Sequence, residues 1–154
     1  MRPSMDKTVP GSWQAAEALA TAVAGDAEAR GLSRAEIELI NVRTSQLNGC
    51  AFCLDLHARR ARQAGVPQQQ LDLLPAWRET ALFDDRATAV LAVAEAATRV
   101  PLTDEAEADL VAARGILGDE AFAAAEWVAA TINLFNRISI LSEHPVRERK
   151  EKPA

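Results

Sequence analysis

Alanine is the commonest apolar residue of this chain and tyrosine is absent, so a sheet has little to be built from. Strands draw on β-branched and aromatic side chains, whereas alanine and leucine lose least on entering a helix. Aromatic residues make up only 5% of the composition. An all-α fold is therefore expected. One domain suffices for 154 residues, because a domain of this size buries about two-thirds of its unfolded surface without disulfide staples.

The sequence marks where its helices begin and end. Pro10-Gly11-Ser12 precedes an alanine-rich helix that runs to about Arg30, with Ser12 as the expected N-cap and Gly31 as the stop. Ser33 and Glu36 have the spacing of a capping box, which opens a second helix reaching about Leu47. Asn48-Gly49 breaks it, and the next helix starts at or near Cys50 and continues to Ala64, closed by Gly65 and Pro67. Further helices are expected at 67–74, 84–99 and 103–117. A last long one, capped by Asp119, reaches about Glu143 before His144-Pro145 ends it. No fixed-period repeat and no domain linker is visible.

Charge and hydropathy narrow the function. A net charge of −5 and a pI near 5.1 disfavour nucleic acid and anionic membrane as partners, since both demand a concentrated positive field. The N-terminus MRPSMDKTVPGS has no apolar signal core, and no run approaches the roughly 18 apolar residues of a membrane span. The cytoplasm is the expected compartment. There two cysteines three positions apart suit redox catalysis or metal binding better than a structural staple.

Those cysteines lie in NGCAFCLDLH, together with one of the two histidines. On a helix advancing about 100° per residue, Cys50, Cys53 and His57 fall within roughly 60° of one another. Cys53 and His57 are one turn apart, within reach for proton exchange directly or through one water. A thiol reacts as its thiolate, and two influences favour that form here. The helix N-terminus acts most on Cys50, and the imidazole acts on Cys53. A sulfenic acid on one sulfur can then condense with the other. Two alternatives stay open from the residues alone. The cysteines can be small buried hydrophobes, or Cys50, Cys53 and His57 can bind zinc with His144 or a carboxylate as the fourth ligand. No dinucleotide fingerprint, Walker loop, G-x-S-x-G or H-E-x-x-H occurs, and no cofactor is called for.

The run ELINVRTSQLNGCAFCLDLHARRARQAG, 38–65, closely resembles the core of the carboxymuconolactone decarboxylase and alkylhydroperoxidase D-like (AhpD-like) family. It carries that family's Glu, Ser, C-x-x-C-x-x-x-H and following Ala as Glu38, Ser45, Cys50, Cys53, His57 and Ala61. The segments 77–100 and 132–140 resemble its later helices, so the likeness spans about residues 12–142, with 1–11 and 145–154 expected as flexible ends. The resemblance implies an all-helical homo-oligomer, a trimer or hexamer, with thiol-dependent peroxidase activity. It implies Cys53 as the sulfur that attacks the hydroperoxide, Cys50 as the one that resolves the intermediate, His57 and Glu38 as proton handlers, and an external dithiol or thiol protein as reductant. Some family members carry a histidine where this chain has Phe52, which shortens any relay. A redox-sensing or metal-binding module without turnover, and a decarboxylase-like lyase, are the alternative functions. Asn133, Asn136 and Arg137 share a helical face and are expected to tie helices or subunits together. Trp13, Trp77 and Trp127 are expected in the core or at a subunit interface.

Overall fold

The computed structural model describes residues 1–149, and among them every regular element is a helix. In chain order these are α1 (Met5–Thr8), α2 (Pro10–Ala29), α3 (Arg34–Asn48), α4 (Ala51–Gln63), α5 (Gln68–Leu73), a 3₁₀ segment (Leu74–Glu79), α6 (Asp85–Thr98), α7 (Asp104–Leu117) and α8 (Asp119–Leu141). The expected helices are all present, so the all-α reading holds. Two elements were not foreseen, the single turn of α1 and the 3₁₀ segment that extends α5.

Helix α6 is the centre. Its residues Ala89 to Ala96 are all buried, and a helix apolar on every side belongs inside a bundle. Its alanines let neighbours approach closely, and α3, α7 and α8 pack around it. Helix α4 lies on α3, while α2 lies mainly on α8 and buries only Val23 and Ala27 of its 20 residues. Val90, Leu91 and Val93 of α6 meet Ile40 and Val42 of α3 in the same core.

Local signals explain most boundaries. Ser33 and Glu36 form the capping box, with Ser33 Oγ accepting from Glu36 N–H at 3.1 Å and Glu36 accepting from Ser33 N–H at 2.7 Å. Asp84 and Thr103 cap α6 and α7 in the same way. Two expected caps are corrected. Helix α2 starts earlier than Ser12, at Pro10 with Val9 in the cap position, because proline's missing N–H costs nothing at a helix start. Asp119 is not the cap of α8 either. Gly118 is, and Asp119 sits in the first turn, at the positive end of the dipole.

One buried ion network stands apart from the cysteines. Arg43 of α3 donates to Glu95 of α6 at 2.9 and 2.7 Å, and Trp77 Nε1 donates to the same carboxylate oxygen at 3.0 Å. Arg78 adds a bond to the other oxygen at 3.2 Å. Burial pushes the Glu95 carboxyl upward, yet the donors Trp77, Arg43 and Arg78 outweigh it and hold it below the ordinary glutamate value. Trp77 is therefore a core residue, whereas Trp127 is 58% exposed.

The chain ends meet. Residues 1–11 carry α1 and the start of α2, and Arg2 pairs with Glu143 at 3.2 Å while Met5 N–H donates to Ser142 Oγ at 2.9 Å. Of the end expected at 145–154, residues 150–154 lie outside the described residues, and Arg149 pairs with Asp55 of α4.

Candidate active site

The turn between α3 and α4 builds the site. Gly49 takes a left-handed conformation, φ 67°, which glycine adopts without steric cost, and this lets the chain reverse at once into α4. Cys50 N–H then donates to Ser45 O at 3.1 Å. Cys50 is itself the N-cap of α4, its sulfur accepting from Cys53 N–H at 3.3 Å. The two cysteines are joined as a disulfide across Cα atoms 5.3 Å apart, an ordinary span for such a bond.

Side chains from α8 brace this turn. Asn48 Nδ2 donates to Oδ1 of both Asn133 and Asn136 at 2.9 Å, and Asn136 Nδ2 donates to Ser45 Oγ at 3.0 Å. Arg137 donates to Asn133 Oδ1 at 3.0 Å. Asn133, Asn136 and Arg137 thus link α8, directly or through one another, to the end of α3, and Ser45 is a fully buried partner of that network. Asn48 carries the link, a role its place in a turn signal concealed.

Cys53, His57 and Ala61 form the buried face of α4. His57 Nδ1 lies 2.7 Å from Glu38 Oε2, and both side chains are largely enclosed. Glu38 reaches His57 from α3, so the two helices meet at this pair. Cys53, His57 and Glu38 line one cavity of about 1010 Å³ between α2, α4 and α8. Its walls are mostly apolar, among them Trp13, Val23, Ile132 and Phe135, with Trp13 edge-on to Phe135 at 5.7 Å. Arg59, Arg60 and Asp55 are at its rim, and the charges of Arg149 and Arg59 help hold the Asp55 carboxyl low, the Arg149 hydrogen bond foremost.

Cys50 does not line that cavity. It faces a separate hollow of about 200 Å³, shared with Phe52, Ser139, Glu143 and His144. Both sulfurs are buried, Cys50 being 1% and Cys53 3% exposed. Phe52, 38% exposed, lines both spaces, as do Ser139 and His144. Its ring meets the His144 ring edge-on at 5.3 Å. The site residues expected from the sequence, Cys50, Cys53, His57 and Glu38, are therefore neighbours, while His144 is an addition. Sequence reading saw in His144 only a helix stop and a spare zinc ligand. Among the described residues, no group of three or more His, Cys, Asp or Glu side chains is disposed to hold a metal ion.

Known proteins resemble this chain in sequence and in fold. The model of the carboxymuconolactone decarboxylase family matches residues 14–96. An uncharacterised protein of Bacillus subtilis, YdfG, is 34% identical over 109 residues, 71% of this chain and 74% of that one. The alkyl hydroperoxide reductase AhpD of a Bradyrhizobium species is 36% identical over 75 residues, 49% of this chain and 39% of that protein. A crystal structure of a protein of unknown function from Agrobacterium tumefaciens, described there as a candidate antioxidant defence protein AhpD, superposes with a TM-score of 0.81. It is 30% identical, and the match covers 95% of this chain and 99% of that one.

Proposed function

The chain belongs to the carboxymuconolactone decarboxylase family, and from that premise we propose that it is a thiol-dependent hydroperoxide reductase cycling through Cys50 and Cys53. The observation that carries this reading is the convergence of Cys53, His57 and Glu38 on one cavity, with Cys50 within disulfide reach behind Cys53. A family relationship alone supplies only the prior, because function resides in the site and not in the fold.

In the reduced protein, His57 takes the Cys53 proton while Glu38 steadies the resulting imidazolium through Nδ1. The Cys53 thiolate attacks one peroxide oxygen; the S–O bond forms, the O–O bond breaks, and the departing alkoxide leaves as an alcohol with the proton from His57. Cys50 then displaces the sulfenic oxygen as water and gives the disulfide. An external dithiol or thiol protein reduces that disulfide by two exchange steps, returning both thiols. The apolar cavity walls favour an organic hydroperoxide over hydrogen peroxide, because a small polar molecule leaves most of that surface uncovered.

The reading includes a homo-oligomer, no cofactor and a cytoplasmic setting; no helix among the described residues is long and apolar enough to cross a membrane. Dithiol-supported consumption of cumene hydroperoxide by the wild type, Cys53→Ser and Cys50→Ser tests it. Turnover is expected to vanish in Cys53→Ser, and unchanged turnover there would refute the proposal. The near-complete burial of both sulfurs favours one rival, a redox switch without turnover. That rival predicts a single stoichiometric oxidation and no sustained consumption with any dithiol.

A further inference from the structure

The chain has two histidines, 87 positions apart in sequence, and both end beside the same cysteine pair. Each stands against a carboxylate. His57 has Glu38; His144 Nε2 lies 3.3 Å from Asp6 Oδ1, with both side chains mostly enclosed. His144 Nδ1 lies 3.2 Å from Ser139 Oγ, and Ser139 and His144 both line the small hollow that Cys50 faces. Hydrogen bonds from Ser4 and, against partial desolvation, from His144 hold the Asp6 carboxyl below its ordinary value, so it is an anion at neutral pH.

We infer that Ser139, His144 and Asp6 form a second proton relay serving Cys50, as His57 and Glu38 serve Cys53. This rests on the hydroperoxide reductase reading above and assigns a residue set to its second chemical step. Asp6 keeps the imidazole proton on Nε2, which leaves Nδ1 as an acceptor for the Ser139 hydroxyl. In the resolving step the Cys50 thiol passes its proton along Ser139 to His144. His57, left neutral by the first step, takes up a proton from solvent. The Cys50 sulfur then bonds to the Cys53 sulfenic sulfur, the S–O bond breaks, and the hydroxide departs as water with that proton, while solvent takes the proton left on His144. No oxidant beyond the hydroperoxide already reduced is required.

The position of the relay follows from the fold. Cys50 is the N-cap of α4 and is turned away from the large cavity, so His57 is not on its side of the helix face. Phe52, Ser139 and His144 line both spaces, and the Phe52 and His144 rings meet edge-on. Other charged groups share the lining with His144: Lys7 of α1, Asp55 and Arg59 of α4, and Arg147, Glu148 and Arg149 of the C-terminal segment in the large cavity, with Glu143 in the small hollow. The carboxylate in ion-pair contact with the His144 ring is that of Asp6.

The test follows the two steps separately in reduced protein mixed with one equivalent of cumene hydroperoxide. Sulfenic acid is read by trapping with dimedone and mass spectrometry, and disulfide by loss of free thiol. In His144→Gln the ratio of disulfide formation to sulfenic acid formation should fall on the order of 10²-fold, with more Cys53 trapped by dimedone. The pH dependence of that ratio should flatten, and added imidazole should restore part of it. Asp6→Asn should give a smaller fall in the same direction, and circular dichroism establishes that each variant is folded. A ratio within twofold of wild type in both variants would overturn the relay. So would a uniform loss at all pH values without imidazole rescue, which is what displaced packing produces. If wild-type Cys53 never forms a sulfenic acid, the hydroperoxide reductase reading itself falls, which is a different result from a normal first step with an unaltered second.

Discussion

Replacing Glu38 by Gln keeps the shape of the side chain and removes its charge from a contact of 2.7 Å to His57 Nδ1. Hydrogen bonds to charged groups are worth about 1.5–3 kcal/mol net. The pair is largely enclosed, so solvent screening subtracts little from that range. In the proposed reaction the benefit exists only when His57 holds the Cys53 proton, since a neutral imidazole gains far less from a carboxylate. The full amount therefore falls on the thiolate–imidazolium state and not on the resting thiol. At 1.4 kcal/mol per tenfold, Glu38→Gln should slow the reaction of reduced protein with cumene hydroperoxide by about 10- to 100-fold near neutral pH. Stopped-flow tryptophan fluorescence suits the measurement, because Trp13 lines the cavity that holds Cys53. Glu38→Asp, which keeps the charge on a shorter arm, should recover part of the rate. A Glu38→Gln protein that reacts within twofold of wild type would refute the assignment of Glu38 as the partner of a catalytic His57.

Three further substitutions concern the framework. Glu95→Gln leaves the buried Arg43 guanidinium without its counter-charge and should cost about 3–5 kcal/mol in urea unfolding, against a small effect for an exposed acid such as Glu107. Because the Glu95 carboxyl is held below its unfolded value, its contribution is complete above about pH 4.3; it is lost as pH falls through the folded value. Acid unfolding of the wild type should therefore steepen below pH 4.3, and that portion should be absent in Glu95→Gln. Asn48→Ala strips the fully buried Asn136 Oδ1 of its donor, so thermal denaturation should show a loss of about 1–3 kcal/mol, and disulfide formation should slow because the turn before Cys50 is no longer braced. Ser33→Ala removes the capping-box hydroxyl and should cost about 1 kcal/mol by the same denaturation measurement.

What could be read from the sequence was what depends on near neighbours. The capping box at Ser33 and Glu36, the break at Asn48-Gly49 and the stop at Gly65 are each decided within four or five residues, and the helices lie where those signals put them. Where two local signals competed, the weaker was read: Ser12 could cap a helix, but Pro10 two residues earlier could start one and did. Cys53 and His57 share a face as the helical period predicts, but Cys50 does not join them, because it is the extended N-cap before the first turn and lines a different hollow. Glu38, twelve positions before Cys50, came from family resemblance and not from spacing. Contacts between distant segments left no trace of this kind. Glu95 looks like one more acid on an alanine-rich helix until Arg43 and Trp77 are brought to it. His144 looks like a helix stop until Asp6 and Phe52 arrive from elsewhere in the chain.

The assignment of roles to the two sulfurs turns on access as much as on acidity. The helix terminus favours an anion at Cys50, the N-cap, over Cys53, three residues into the helix. Yet the same geometry commits the Cys50 sulfur to receiving the Cys53 N–H, and Cys50, unlike Cys53, does not line the cavity of about 1010 Å³. A nucleophile must also meet its substrate, and a lowered pKa lowers intrinsic nucleophilicity together with the fraction of thiol. Cys53 borders the cavity and has His57 one turn away, so in the proposed reaction a hydroperoxide in the cavity meets this sulfur and its leaving oxygen finds an acid. Cys50 is better fitted to the opposite task, a thiol held within disulfide distance of Cys53 for a sulfenic acid to appear there. The division can be read directly: cumene hydroperoxide should oxidise Cys53 in Cys50→Ser and should leave Cys50 as unmodified thiol in Cys53→Ser. Rapid sulfenic acid formation at Cys50 in the latter variant would reverse the roles.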